Sequence, residues 1–223
     1  MKPAVIPEFF ARLRQAMPAP ETELEYDSVY QLLVAVVLSA QATDVGVNRA
    51  TGPLFKIVKT PADMLALGEK KLIGYIKSIG LFRTKAKNVM ALSKLLLEKH
   101  GGEVPHTHEE LQALPGVGRK TANVVMNVAF GEATIAVDTH IFRVGNRTGL
   151  APGKTPLAVE QKLEKITPAP FRRGAHHWLI LHGRYVCKAR RPECWRCSVH
   201  DLCGYRPKTP PPRGVADPIL GEA

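Results

Sequence analysis

The sequence predicts an all-α protein. Three observations carry that expectation. Apolar residues recur at spacings of three and four along most of the chain. Helix-start signals (Thr60-Pro61, Thr107 with Glu110, Asp138, Thr155-Pro156) and stop glycines (Gly80, Gly101, Gly131) punctuate it at helix-length intervals. No stretch shows the strict apolar–polar alternation of a half-buried strand.

Taken in order, Asp27 is the expected cap of a helix over 27–40 that is apolar on nearly every face and therefore central. Thr60 followed by proline starts a helix over 62–67. Leu72, Ile73, Tyr75, Ile76 and Ile79 form the next stripe, ended by Gly80. Residues 86–99 read as a long amphipathic helix closed by Gly101. Thr107 and Glu110 fit a capping box for a short helix to Ala113. A glycine turn then opens a helix over 120–130 that ends at Gly131, and Asp138 caps another over 139–147. Thr155-Pro156 starts the next helix, and 171–185 is the last long one. Beyond the cysteines, prolines at 207, 210, 211 and 212 mark an extended or disordered tail with no packed core.

The chain has 223 residues, 45% of them hydrophobic, with a formal net charge of +11. That charge points to a polyanionic partner, nucleic acid before membrane. The longest apolar run, 32–38, is far too short to cross a bilayer. No basic-then-apolar leader opens the sequence, so a cytoplasmic protein is expected rather than a secreted one. In that setting four cysteines read as metal ligands before disulfides.

The segment Leu114-Pro115-Gly116-Val117-Gly118-Arg119-Lys120 joins helix to helix through a glycine turn, the pattern of a helix-hairpin-helix. Gly116 and Gly118 let the backbone approach a ligand, and the exposed amides of the second helix attract phosphate, with Arg119 alongside. Lys120 stands in that first turn, where the helix dipole opposes an ammonium and lowers its pKa toward a nucleophilic amine. Taken alone, Lys120 ranks higher as a phosphate contact than as a nucleophile. A phosphate-cradling P-loop fails because Arg119 separates Gly118 from Lys120, and a dinucleotide fingerprint fails because Thr121 replaces its third glycine. Asp138 caps its helix whatever else it does, and a carboxylate so held can stabilise positive charge on a sugar or move protons. His140 faces a pocket or solvent.

Cys187, Cys194, Cys197 and Cys203 are spaced C-x6-C-x2-C-x5-C. Having only one close pair favours an iron–sulfur cluster and leaves zinc as the rival. Between the first two lie Lys188, Arg190 and Arg191, three cations suited to phosphate.

These residues together resemble the endonuclease III family of DNA glycosylases and abasic-site lyases, in the helix-hairpin-helix superfamily. The resemblance runs from about Glu23 to about Tyr205. It includes 38–44 (LSAQATD), Ile79-Gly80-Leu81, LPGVGRKTANVV from Leu114, VDTHIFRV from Val137, HHWLILHGR from His176 and the four cysteines. It implies Lys120 as nucleophile, Asp138 as the second catalytic residue, and a [4Fe-4S] cluster on the four cysteines. It also implies Gln41 and Leu81 entering the DNA stack, with Ser39, Asp44 and His140 around the lesion pocket.

The implied fold has two helical lobes with a DNA cleft between them: 23–132 carrying the hairpin, and 1–22 with 133–205 carrying the cluster, followed by the tail 206–223. The implied activity is bifunctional: removal of oxidised pyrimidines from double-stranded DNA, then cleavage 3′ to the abasic site by a monomer. A monofunctional glycosylase and a non-catalytic DNA-binding module are the alternatives. Relatives that remove undamaged adenine lack the lysine and carry a further C-terminal domain for which this length leaves no room. Phe82 and Arg83 stand where relatives vary.

Overall fold

The computed structural model describes residues 1–215. Among them are eleven α-helices and no strand. They fall into two compact units, Thr22–Glu132 and Met1–Glu21 with the residues from Ala133 onward.

In the first unit, α2 (Val29–Leu38) is the core. Every residue from Tyr30 to Leu38 is buried. An all-round apolar helix has no solvent face, so its neighbours must cover each side. α8 (Arg119–Phe130), α6 (Phe82–His100) and α3 (Asp44–Phe55) do so. α4 (Pro61–Leu67) and α5 (Glu69–Ile76) pack on α6, and α7 (His108–Ala113) packs on α8. One polar side chain sits inside this core. Gln31 is fully buried; its amide donates to Phe55 O (3.1 Å) and Val58 O (2.9 Å), and its Oε1 accepts from Asp27 N (2.7 Å). It therefore ties α2 to the end of α3 through main-chain groups that would otherwise be unpaired.

In the second unit, α1 (Ile6–Ala16), α9 (Thr139–Thr148), α10 (Pro156–Ile166) and α11 (Arg172–Tyr185) enclose a core rich in aromatic residues. Phe10 stacks on Phe171, whose ring meets Trp178 edge-on. Trp178 Nε1 donates to Met17 O at 2.9 Å.

Several elements differ from the sequence expectation. Ser28, not Asp27, caps α2, accepting from Gln31 N, while Asp27 pairs with Lys59 at 3.1 Å. Ser28 lies next to the first helical residue, and the helix stops at Leu38. α5 ends at Ile76, leaving Ile79 buried beyond it. α6 begins at Phe82, a turn before the expected start, and no Ser, Thr or Asp cap marks that start in the sequence. The Thr107–Glu110 box is half formed: Thr107 accepts from Glu110 N, but the Glu110 carboxylate takes the Thr107 hydroxyl instead of a backbone amide. A complete box exists at Thr60 and Asp63. α1 and α3 were hidden by Pro7 and by Gly46, Gly52 and Pro53.

Of the tail, residues 206–215 form no regular element, and the first of them turn back onto the cysteine segment. Arg206 Nη1 and Lys208 Nζ each donate to Cys203 O at 3.0 Å. The first tail residues, to Lys208, therefore have partners where none was expected, and residues 216–223 lie outside the described residues.

Gln31→Leu keeps the volume and adds hydrophobicity, yet it should destabilise the protein. Two buried carbonyls lose their partner, each worth about 1–3 kcal/mol, and the part-buried Asp27 amide loses its acceptor as well. A fall of at least about 2 kcal/mol is expected in urea unfolding.

Candidate functional site

The hairpin is built as its glycines require. Gly116 has φ +80°, a conformation costly for any other residue. A Cβ there would lie 2.9 Å from Asn88 Cβ and Nδ2 on α6, so the turn lies directly on that helix. Gly118 is the N-cap of α8 and makes no side-chain cap, and no acid occupies the first turn. Arg119 and Lys120 are the first two residues of α8, and both are exposed. The positive end of the dipole, outward amides and two cations thus share one helix start.

Three non-glycine residues among those described have positive φ: Gln41 (55°), Leu81 (59°) and Arg191 (47°). For leucine this is a strained state that neighbours must impose. Gln41 and Leu81 lie on adjacent loops of one unit, since a Cβ at Gly80 would sit 3.9 Å from Gln41 O. Both are exposed, and Leu81 keeps 59% of its surface in solvent. This strained leucine leaves most of its surface unburied in the free protein. Ser39 ends α2 and donates to Val36 O (2.9 Å); Asp44 is the first residue of α3. Both are half-buried.

Asp138 caps α9. Its Oδ1 accepts from His140 N and Ile141 N, both at 2.8 Å. His140 is half-buried, and its Nδ1 lies 3.2 Å from Arg143 Nη2. A guanidinium only donates, so Nδ1 accepts and the neutral ring carries its proton on Nε2. A methyl group on Gly183 would come within 2.9 Å of His140 Cβ, so the glycine lets α11 approach.

The four cysteines line one cavity with about 310 Å³ of empty volume, together with Arg147, His182, Tyr205 and Lys208. None forms a disulfide. Burial pushes the Cys197 thiol up to about 11 and raises that of Cys187, so a cation is needed to hold them as thiolates. Donors already face two sulfurs: Arg147 Nη1 is 3.7 Å from Cys187 Sγ, and Tyr205 N is 3.4 Å from Cys203 Sγ. Burial, then nearby Arg196, lowers His182 to about 4, so the ring packed 3.8 Å from Cys197 Sγ is neutral. No group of three or more His, Cys, Asp or Glu among the described residues closes on a single metal ion. A cavity that separates four thiols, with N–H donors aimed at sulfur, fits a polynuclear cluster better than zinc.

Sequence reasoning missed the two arginines that hold this segment. Arg143 Nε donates to Cys187 O (3.0 Å) and its Nη2 to Gly183 O (2.8 Å). Arg147 donates to Lys188 O (2.6 Å) and Ala189 O (3.2 Å), and stacks over Tyr205. Arg143 lies three residues after His140 and Arg147 four residues after Arg143, which places all three on one face of α9, a signal present in the sequence. The loop's cations are also not equivalent. Lys188 pairs with Glu193 at 2.5 Å, while Arg190 and Arg191 are exposed.

Residues 34–169 match the HhH-GPD superfamily of base excision DNA repair proteins, and residues 187–203 match the iron–sulfur binding domain of endonuclease III. Endonuclease III of Escherichia coli K12 is 58% identical over 201 residues, 90% of this chain and 95% of that protein. The chain belongs to the endonuclease III family. Endonuclease III of Treponema pallidum is 54% identical over 194 residues, 87% of this chain and 92% of its own. A solved structure of a trapped endonuclease III–DNA covalent intermediate, an estranged-adenine complex, matches with a TM-score of 0.86 at 44% identity, covering 92% of this chain and 96% of that one. As an endonuclease III family member, the chain has a [4Fe-4S] cluster as its cofactor.

Gly116→Ala should weaken the hairpin twice over. The left-handed backbone costs about 1–2 kcal/mol, and the methyl group displaces Asn88. Chemical denaturation should show a loss of at least that size.

Proposed function

We propose that this chain excises oxidised pyrimidines from duplex DNA and then cuts the strand 3′ to the abasic site, working as a monomer in the cytoplasm. The observation that carries this reading is Lys120: an exposed amine in the first turn of a helix whose uncapped glycine start is suited to hold phosphate.

The sugar C1′ of a damaged nucleotide is inaccessible inside the stack, so the nucleotide must rotate out, at a few kcal/mol. Leu81, already exposed and strained, wedges between bases, and Gln41 offers a donor and an acceptor to the orphaned partner. Ser39, Asp44 and His140 contribute to the pocket for the lesion. Lys120 Nζ gives its lone pair to C1′ while the glycosidic C–N bond breaks, and the departing base leaves with the electrons of that broken bond and takes up a proton. Asp138, its carboxylate oriented through Oδ1, stabilises positive charge developing on the sugar and passes protons. Nζ then loses a proton, its lone pair forms the C1′=N bond, and the C1′–O4′ bond breaks with O4′ taking up a proton; in the resulting iminium the C2′ proton is acidic. Its removal forms C2′=C3′, and the C3′–O bond breaks with its electrons on the phosphate. Water later releases Lys120.

Gly116, Gly118 and Arg119 hold the backbone meanwhile. Arg190 and Arg191 add phosphate contacts, and Lys188 acts mainly within its pair with Glu193. Cys187, Cys194, Cys197 and Cys203 would hold the [4Fe-4S] cluster, which when bound supplies a rigid cross-link and no redox step on the substrate.

Borohydride should trap a covalent adduct between the wild-type protein and DNA containing an abasic site or thymine glycol. Lys120→Ala should reduce the adduct to background while changing stability by less than about 0.5 kcal/mol, as expected for an exposed position. Full adduct yield from that variant would remove Lys120 from the role, and base release with no wild-type adduct would mean a monofunctional enzyme using water.

Native protein should be yellow-brown from sulfur-to-iron absorption. Cys203→Ser should bleach that absorption and lower the melting temperature. A colourless preparation holding stoichiometric zinc would contradict the cluster assignment.

A further inference from the structure

The start of α6 is a poor place for positive charge, yet positive charge collects there. Arg83, Lys85 and Lys87 fall within its first two turns, and no acid lies in the first turn. The N-cap is Leu81, which offers no side-chain acceptor to the unpaired amides that follow it. Cations at a helix start oppose the dipole, so the local structure gains nothing from them.

Two of these cations are placed in a way that points to a ligand. Arg83 is exposed, but its guanidinium is held 5.5 Å from the Phe82 ring centroid, close to the turn. Lys85 is 4% exposed, and its Nζ has no hydrogen-bond partner. Helical side chains lean toward the N-terminus, so the Lys85 stem runs back toward the turn that Leu81 opens. Burial pulls the Lys85 ammonium below its ordinary range. A buried ammonium with no counter-charge is a cost to the free protein, and an anion brought into the same low-dielectric place offsets it.

We propose that the N-terminal turn of α6 is a second phosphate site, separate from the hairpin at the start of α8. It grips a phosphodiester of duplex DNA next to the bases parted by Leu81, with Arg83 as the contacting side chain and Lys85 as a fixed charge beneath. This rests on the DNA-repair reading above. The loops of Leu81 and Gln41 lie against each other, so the site fixes the backbone within one nucleotide step of the wedge. Its work is to hold the distorted strand while the stack is open.

The test uses the full-length, cluster-loaded protein and a duplex carrying a tetrahydrofuran abasic analogue, which the lyase chemistry cannot cut. Binding is followed by fluorescence anisotropy as KCl is varied, for wild type, Arg83→Ala, Arg83→Lys and Lys85→Met. Each phosphate contact adds about 0.9 to the slope of log K against log salt. Arg83→Ala should flatten the slope by about that amount, an affinity loss of about eightfold at 0.1 M salt relative to 1 M. Arg83→Lys should restore the slope. Lys85→Met should weaken DNA binding and raise the melting temperature, because it deletes an unpaired buried charge.

An unchanged slope in Arg83→Ala overturns the site. Failure of Arg83→Lys to restore it also overturns the proposal, since a base edge rather than a phosphate would then be read. A lower melting temperature with unchanged affinity in Lys85→Met makes Lys85 a packing residue and removes it from the site. Wild-type protein that fails to bind the duplex counts against the repair reading itself.

Discussion

The first amides of any α-helix have no partner within it, and at three helix starts of this chain that shortfall coincides with residues assigned to chemistry or to DNA. Five helices meet it with a hydroxyl: Ser28, Thr43, Thr60, Thr107 and Thr155 each accept from the amide three residues on. α9 meets it with the carboxylate of Asp138. α8 and α6 open on Gly118 and Leu81, which provide no side-chain oxygen, and α1, α5 and α11 likewise lack a side-chain cap. A hydroxyl closes the donor set, and a missing cap leaves it turned outward, where an anion completes it. Lys120, Asp138 and the Leu81 wedge stand at the starts of α8, α9 and α6.

α2 makes the arrangement stiff enough to use. It is buried on all sides, packs against α8 and α6, and runs at its C-terminal end into the Ser39–Gln41 loop. The Gln31 bonds fix α2 against the end of α3. Strained backbone at Gln41 and Leu81 persists only where surroundings over-determine it, and this core provides that rigidity. The second unit has its own equivalent in the Phe10–Phe171–Trp178 cluster, over which α9 and α11 pack.

Much of this was legible in the sequence, for identifiable reasons. The Thr60 and Thr155 caps, the Gly101 and Gly131 stops and the hairpin glycines act through local backbone chemistry, which a short segment carries entirely. The start of α6 was not legible, because Leu81 becomes an N-cap through the packing of its loop against the Gln41 loop. α1 and α3 were hidden because prolines and glycines that lower helix propensity are outweighed by burial of Phe9, Phe10, Val47 and Leu54. The four cysteines declared a metal site, but Arg143 and Arg147 did not declare themselves part of it. Their partners are carbonyl oxygens more than thirty-five residues away, and carbonyls leave no mark on a sequence.

That last point bears on how the cysteine segment can vary. Arg143 and Arg147 grip Cys187, Lys188 and Ala189 by main-chain oxygen, and Arg206 and Lys208 do the same for Cys203. Such anchorage is blind to side-chain identity. Apart from the Lys188–Glu193 pair and the left-handed backbone at Arg191, the residues from 188 to 193 therefore behave as an exchangeable cassette on a fixed mount. Selection could retune the charge, length or reach of this loop without disturbing the helix that carries Asp138, which makes it a place where relatives on the same scaffold can diverge in their hold on DNA.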